Sequence, residues 1–377
     1  MTATTSVPPA QSSNLKKMNR ENLKKPSRDV TASSASPECA APEDCDVLVI
    51  GAGPTGMACA IEAQRAGFRS VLVDKGCLCN SIYHYPSHMT FFTTPELLEI
   101  GDIPFPSQNQ KPVRNEALEY YRRVAEHYAL DARLYRLVET VTGSDGNFEV
   151  LTKDKFGRSQ TLRAKKVIVA TGYYDLPNYL GIPGEELPKV HHYYDDPHPY
   201  YDQDVVVIGG KNSAAIAALE LWRHGARVTL VHRGPVIHKH VKYWILPDIE
   251  NRIKNGEIAA HFNSRVTEIT IDTVTIDTPE GARTVPNQTV FALTGYHPDF
   301  DFLTALGVRF EGEDRLPVCD AACLESNVPG VYLAGVIVAG SRTNEIFIEN
   351  GRFHGRQIAD DLRRKLQPTH ESEIAAR

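Results

Sequence analysis

Two glycine-rich turns, each closing an apolar strand-like run, lie about 160 residues apart in this 377-residue chain. The first reads Asp46-Val47-Leu48-Val49-Ile50-Gly51-Ala52-Gly53-Pro54-Thr55-Gly56, and the second Asp204-Val205-Val206-Val207-Ile208-Gly209-Gly210-Lys211-Asn212-Ser213-Ala214. A parallel strand that feeds a tight turn and then a helix presents unpaired backbone N–H groups to a pyrophosphate. Two such units predict an α/β chain with two Rossmann-like domains and two bound dinucleotides. A chain that holds two usually passes hydride from one to the other, which points to a flavoenzyme that oxidises a nicotinamide.

In the first unit Gly51 permits the turn, Gly53 lets the backbone approach the phosphates and Gly56 allows close helix–strand packing. Residues 57–67 read as helix and 68–73 as the next strand. Asp74 closes that strand, 18 residues past Gly56, where a carboxylate accepts from adenosine ribose hydroxyls. The second unit departs from this pattern. Lys211 replaces the second glycine and Ala214 the third; residues 215–224 read as helix and 228–233 as strand. No acid ends that strand. His232-Arg233 stands there instead, and a guanidinium suits a 2′-phosphate, so NADPH is expected rather than NADH. Gly209, Gly210, Asn212 and Ser213 complete that site, with Lys211, Lys239 and Lys242 as further phosphate partners.

Apolar runs that end in small residues recur at 166–172, 291–296 and 330–335. Their order suggests one nucleotide domain inserted into the other: an FAD domain at 45–180 and 295–366, and an NADPH domain at 181–294. The proline-bearing stretch 178–188 reads as the hinge between them. Residues 1–44, rich in Ser, Thr, Ala and Pro with a basic cluster, read as a disordered leader or, by their Ser/Arg bias, an organelle transit peptide; 367–377 read as a flexible tail. With 41 Lys plus Arg against 47 Asp plus Glu, the net charge of −6 leaves no basic footprint for nucleic acid. The apolar stretch 331–340 is too short to span a membrane and reads as a buried strand. A cytoplasmic location is the expectation.

Six blocks carry a family resemblance: Asn80-Ser81-Ile82-Tyr83, Thr90-Phe91-Phe92-Thr93-Thr94, Lys111-Pro112-Val113-Arg114, Gly209 to Ala214, Lys242-Tyr243-Trp244-Ile245-Leu246-Pro247-Asp248 and Ile346-Phe347-Ile348-Glu349-Asn350-Gly351-Arg352. From Asp46 to Leu366 the chain resembles the two-dinucleotide flavoprotein reductases of thioredoxin-reductase type. More narrowly it resembles the bacillithiol disulfide reductases of YpdA type. The resemblance implies bound FAD and NADPH, with reduced flavin passing electrons to a low-molecular-weight disulfide. It implies a homo-oligomer by analogy. The expected FAD contacts are Gly51, Gly53, Pro54, Thr55, Gly56, Asp74, Lys75, Tyr83, Phe92, Thr93, Thr171, Gly172, Gly335, Ile346 and Phe347. The flavin ring is expected against 83–85 and 91–94, where aromatic and hydroxyl side chains suit a flat polar ring.

Seven cysteines bear on how far that implication carries: Cys39, Cys45, Cys59, Cys77, Cys79, Cys319 and Cys323. The Cys-x-x-Cys pair of a thioredoxin reductase is absent from 191–202, just ahead of the second turn. The resembled family carries a cysteine where this chain has Thr55, and a threonine forms no mixed disulfide. Cys59 and Cys79 are the nearest substitutes, and inert packing is the bland reading of each. No spacing suggests a metal site. Three functions stay open: a reductase for a small thiol disulfide, a flavin reductase for a ferredoxin- or flavodoxin-type partner without cysteine chemistry, and an FAD/NADPH-binding redox sensor. An oxygenase is disfavoured, because Gly184 and His191 do not have the spacing its motif requires.

Overall fold

A run of Val and Ile buried on both faces builds the centre of each sheet, as parallel strands covered by helices demand. The computed structural model describes residues 43–366. The expected leader lies outside that range apart from Glu43 and Asp44, which already open a strand; Cys39 and the tail 367–377 lie outside it too. The first strand, β1 (Glu43–Ile50), enters the glycine turn and helix α1 (Pro54–Arg65), and β2 (Ser70–Val73) returns beside it in parallel. β3 (Ala132–Arg133) extends the far edge. The hairpin β4 (Arg136–Ser144) and β5 (Asn147–Asp154) leads into β6 (Ser159–Val169). β6 changes partners along one edge: residues Ser159 to Ala164 pair with β5, and Val167 to Val169 pair with a strand from near the C-terminus.

The second sheet is wholly parallel. Its strands are β7 (Val190–His191), β8 (Asp204–Ile208), β9 (Arg227–Val231), β10 (Ala259–His261) and, after an antiparallel meander, β14 (Thr289–Ala292), in the spatial order β10-β9-β8-β14-β7. The helix Asn212–Arg223 follows β8. The meander consists of β11 (Arg265–Ile269), β12 (Thr273–Thr278) and β13 (Gly281–Pro286). The chain then returns through β15 (Phe310–Glu311) and β16 (Leu316–Pro317) to β17 (Val331–Leu333), the strand that pairs with β6. The second Rossmann-like unit is thus inserted into the first.

One expectation needs correction. The stretch 331–340 is strand only over Val331–Leu333; a 3₁₀ helix, Gly335–Ala339, follows. Gly335 at φ +79° turns the chain there, and its N–H donates to His354 Nδ1 at 3.0 Å, which ties the turn to the C-terminal helix His354–Leu366. The two crossings between domains run side by side. Asn178 N donates to Gly295 O at 2.9 Å, and His297 N to Leu176 O at 3.0 Å. This paired ribbon, rather than the whole proline stretch 178–188, joins the two units.

Candidate active site

The first glycine turn is shaped by what a Cβ would strike. Gly51 sits at φ +110°, and a Cβ there would lie 2.3 Å from Ala170 O; one on Gly56 would lie 1.9 Å from Gly51 O. Gly53 differs: a Cβ there meets nothing within 4 Å, because it faces a cleft. The N-terminus of α1 opens onto that cleft with no side-chain cap, leaving its N–H groups for an anion. Asp74 locks the turn, accepting from Ala52 N at 2.8 Å and Gly76 N at 2.8 Å. Burial pushes its carboxyl above the usual range, and neighbouring Asp175 adds to the effect against those two bonds. Each oxygen keeps a lone pair for a ribose hydroxyl.

Two hollows meet over this turn. One, of about 650 Å³, is lined by Lys75, Arg136 to Val138, His297, Asp299 and Phe302; the other, a cleft of about 1500 Å³, by Pro54, Thr55, Cys79, Tyr85, Phe91, Phe92, Ile346 and Phe347 among others. They share Gly51, Asp74, Thr171, Gly172, Tyr173 and Asp175, so they form one elongated groove across the carboxyl edge of the sheet. The buried Thr171 hydroxyl has no hydrogen-bond partner among the described residues. An extended dinucleotide with a flat ring at the wide end fits the shape, the anion-binding turn and that unmatched hydroxyl.

Most expected contacts converge there, but not all. Tyr83 does not line the groove; it is half exposed, with the Arg114 guanidinium 5.3 Å over its ring. Thr93 is buried without reaching the groove wall, and Gly56 serves packing. Lys75 pairs with Asp175 at 3.1 Å. Sequence reasoning missed Arg136 to Val138, Tyr173, Asp175, His297 and Asp299, which only the fold brings to the groove. Asn80, Ser81 and Glu349 line it too, and their signal lay in the quoted family blocks.

The second turn gathers Gly209, Gly210, Lys211, Asn212, Ser213, Ala214, His232 and Arg233. A Cβ on Gly209 would lie 2.6 Å from Leu293 O, and one on Gly210 would lie 2.5 Å from the His232 ring, which covers the turn. Burial and then Arg233 and His238 hold His232 below the usual imidazole range. Lys211, Ser213 and Arg233 are exposed around this surface. The Lys242 backbone N–H donates to Asn212 Oδ1 of this turn at 2.8 Å, but its side chain turns into the first groove, where Nζ donates to Thr90 O at 2.6 Å.

No activated thiol faces the groove among the residues expected to supply one. Burial, with Glu62 nearby, pushes the Cys59 thiol up to about 12. Cys79 lines the groove but is buried, its Sγ 3.9 Å from Met57 Sδ, and burial followed by Asp74 raises it well above the ordinary thiol value. Burial raises Cys77, Cys319 and Cys323 as well. Cys323, Glu325 and Asp361 cluster far along the chain from the turns, but Lys365 Nζ already bridges the two carboxylates, at 2.5 and 2.8 Å.

The pyridine nucleotide-disulphide oxidoreductase family profile matches residues 48–335. Bacilliredoxin reductase Bdr of Bacillus subtilis (strain 168) is 46% identical over 319 residues, covering 84% of this chain and 97% of that one. The solved bacillithiol disulfide reductase Bdr (YpdA) from Bacillus cereus superposes with a TM-score of 0.84 at 47% identity, over 86% of this chain and 100% of that one. Its Staphylococcus aureus counterpart gives 0.83 at 42%, over the same shares. Thioredoxin reductase of T. acidophilum, at 24% identity and a TM-score of 0.67, shares the fold. The chain belongs to the pyridine nucleotide-disulphide oxidoreductases, on the branch of the Bdr (YpdA) reductases.

Proposed function

We propose that this enzyme oxidises NADPH through FAD held in the first groove and reduces a small disulfide of the bacillithiol class. The net reaction is NADPH + H⁺ + RSSR → NADP⁺ + 2 RSH. When bound, FAD would supply the two-electron store that links oxidation of the nicotinamide to reduction of the disulfide. The observation that carries this reading is the elongated groove over Gly51 to Thr55, in a chain similar over 84% of its length to Bdr of Bacillus subtilis. The turn and the α1 N-terminus hold the pyrophosphate, Asp74 and Thr171 orient sugar hydroxyls, and Tyr85 and Phe91 keep water from the ring. Arg233 and Lys211 take the 2′-phosphate and diphosphate of NADPH on the exposed second turn. Cys59, Cys77, Cys79, Cys319 and Cys323 are free thiols, which suits a reducing compartment, and a cytoplasmic location belongs to the same reading. No helix among the described residues is long and apolar enough to cross a membrane.

Thr55 favours a second reading, in which electrons leave the flavin for a ferredoxin-type protein. With a threonine in the loop and Cys59 and Cys79 held as neutral thiols, no cysteine relay stands beside the groove. One experiment separates the two. Yellow holoenzyme is bleached anaerobically with NADPH, then offered bacillithiol disulfide or oxidised ferredoxin. Recolouring by the disulfide in stoichiometric amounts is expected. Recolouring by ferredoxin alone selects the second reading, and recolouring by neither leaves only a redox sensor.

A further inference from the structure

The larger cleft has three acidic side chains in its wall, Asp74, Asp175 and Glu349, and one basic one, Lys242. Lys242 comes from the other nucleotide domain. Its backbone N–H is held by Asn212 Oδ1 at 2.8 Å, and its side chain crosses the seam to the carbonyl of Thr90. That carbonyl precedes Phe91 and Phe92, both in the cleft wall. No carboxylate pairs with this ammonium among the described residues. Its other near neighbours are the Trp244 ring, 5.6 Å away, and a second cation, Lys111, which sits 4.7 Å over the same ring. A desolvated cation with one carbonyl partner and no carboxylate in ion-pair contact, Glu220 acting only at longer range, is costly unless a ligand supplies negative charge beside it.

We infer that Lys242 is the charge partner of the reduced flavin, a positioning residue that raises the reduction potential of FAD from across the domain seam. The oxidised ring is neutral and makes no demand on the ammonium. A ring that has taken up hydride is an anion until it is protonated, and a nearby fixed cation lowers its energy. Burial, reinforced by Lys111, holds Lys242 down to about 8 despite Glu220, so at neutral pH it is still mostly protonated. Arrival of an anion would raise it. The inference rests on FAD occupying the groove, as proposed above, and not on the identity of the electron acceptor.

The midpoint potential of bound FAD, titrated anaerobically against a reference dye, tests it. Lys242→Met is expected to shift the reduction equilibrium about tenfold toward oxidised FAD, about 30 mV for a two-electron couple. Lys242→Arg is expected to restore the potential. Trp244→Ala cuts the stack on Phe92 that also crosses the seam, at 5.8 Å between ring centroids, but keeps the charge. It is expected to leave the potential in place. An unchanged potential in yellow Lys242→Met, or an equal fall in Trp244→Ala, overturns the inference. Colourless wild-type protein would instead defeat the FAD reading itself. Should Lys242→Met shed its flavin, the reduced wild-type holoenzyme decides. Its absorbance is expected to show an anionic ring across the neutral range, and a ring protonated throughout that range overturns the assignment.

Discussion

The two glycine turns share a strand–turn–helix plan but present opposite surroundings to a ligand. Gly53 opens onto a deep groove walled by the C-terminal segment, whereas Gly210 is covered by the His232 ring and flanked by exposed Lys211 and Arg233. A groove that buries most of a dinucleotide holds it through many turnovers. A turn that grips mainly phosphates with exposed cations releases its ligand readily, because such bonds are partly solvated and screened. The contrast suits one resident cofactor and one that exchanges each cycle. The same backbone motif therefore serves storage or delivery according to what packs over it.

The third glycine position breaks this comparison most sharply. Gly56→Ala forces a Cβ to within 1.9 Å of Gly51 O, so α1 must move off the turn. Chemical denaturation should show a loss of about 1–3 kcal/mol or more, typical of overpacking, with bound flavin per chain falling in parallel. The second turn already carries Ala214 there. Ala214→Gly is expected to cost only about 1 kcal/mol, the helix-propensity difference, and to leave flavin content unchanged. Arg233→Ala comes next in size. Loss of a charged hydrogen-bonding partner for the 2′-phosphate should raise KM for NADPH about tenfold to a hundredfold, from roughly 1.5–3 kcal/mol, while KM for NADH stays put. Equal effects on both coenzymes would mean that Arg233 does not face that phosphate.

Both turns could be read from sequence because their geometry is local: Gly51 and Gly209 need positive φ, and Val and Ile runs buried on both faces mark central parallel strands. The nested order followed from counting those runs. Lys242 reads from sequence as a further phosphate partner of the second turn; its backbone does stay on Asn212, but its side chain reaches across the seam to Thr90. Side-chain reach between domains leaves no periodic signal. The hairpin β4–β5 was missed although Asp145-Gly146 between alternating apolar residues is a turn signature. Val331 to Gly340 reads as one buried strand because the run is apolar throughout, but Gly335, and not a loss of hydrophobicity, ends the strand after Leu333. Thr55 was legible as a departure from the family's cysteine, and burial keeps the nearest substitutes, Cys59 and Cys79, as neutral thiols.

The smallest expected effect asks whether the first site alone depends on its C-terminal helix. Gly355 packs this helix against α1 so closely that a Cβ there would lie 2.7 Å from Ala58 O. On its other flank Asp361 accepts from Tyr332 Oη at 2.7 Å, Lys365 Nζ at 2.8 Å and an Arg364 guanidinium nitrogen at 2.9 Å. Burial pushes the Asp361 carboxyl up, but the bonds from Lys365, Tyr332 and Arg364 outweigh it and hold the group below its ordinary 3.8. A depressed carboxylate contributes stability that is fully present above the unfolded value and lost as pH falls through the folded one. Asp361→Asn should therefore cost about 1 kcal/mol at neutral pH, and the difference from wild type should shrink toward zero in acid. Flavin release should follow that loss, while NADPH binding at the second turn should not. A gap between the two proteins that persists unchanged into strong acid would show that packing of the helix, and not the ionised carboxylate, holds it in place behind the groove.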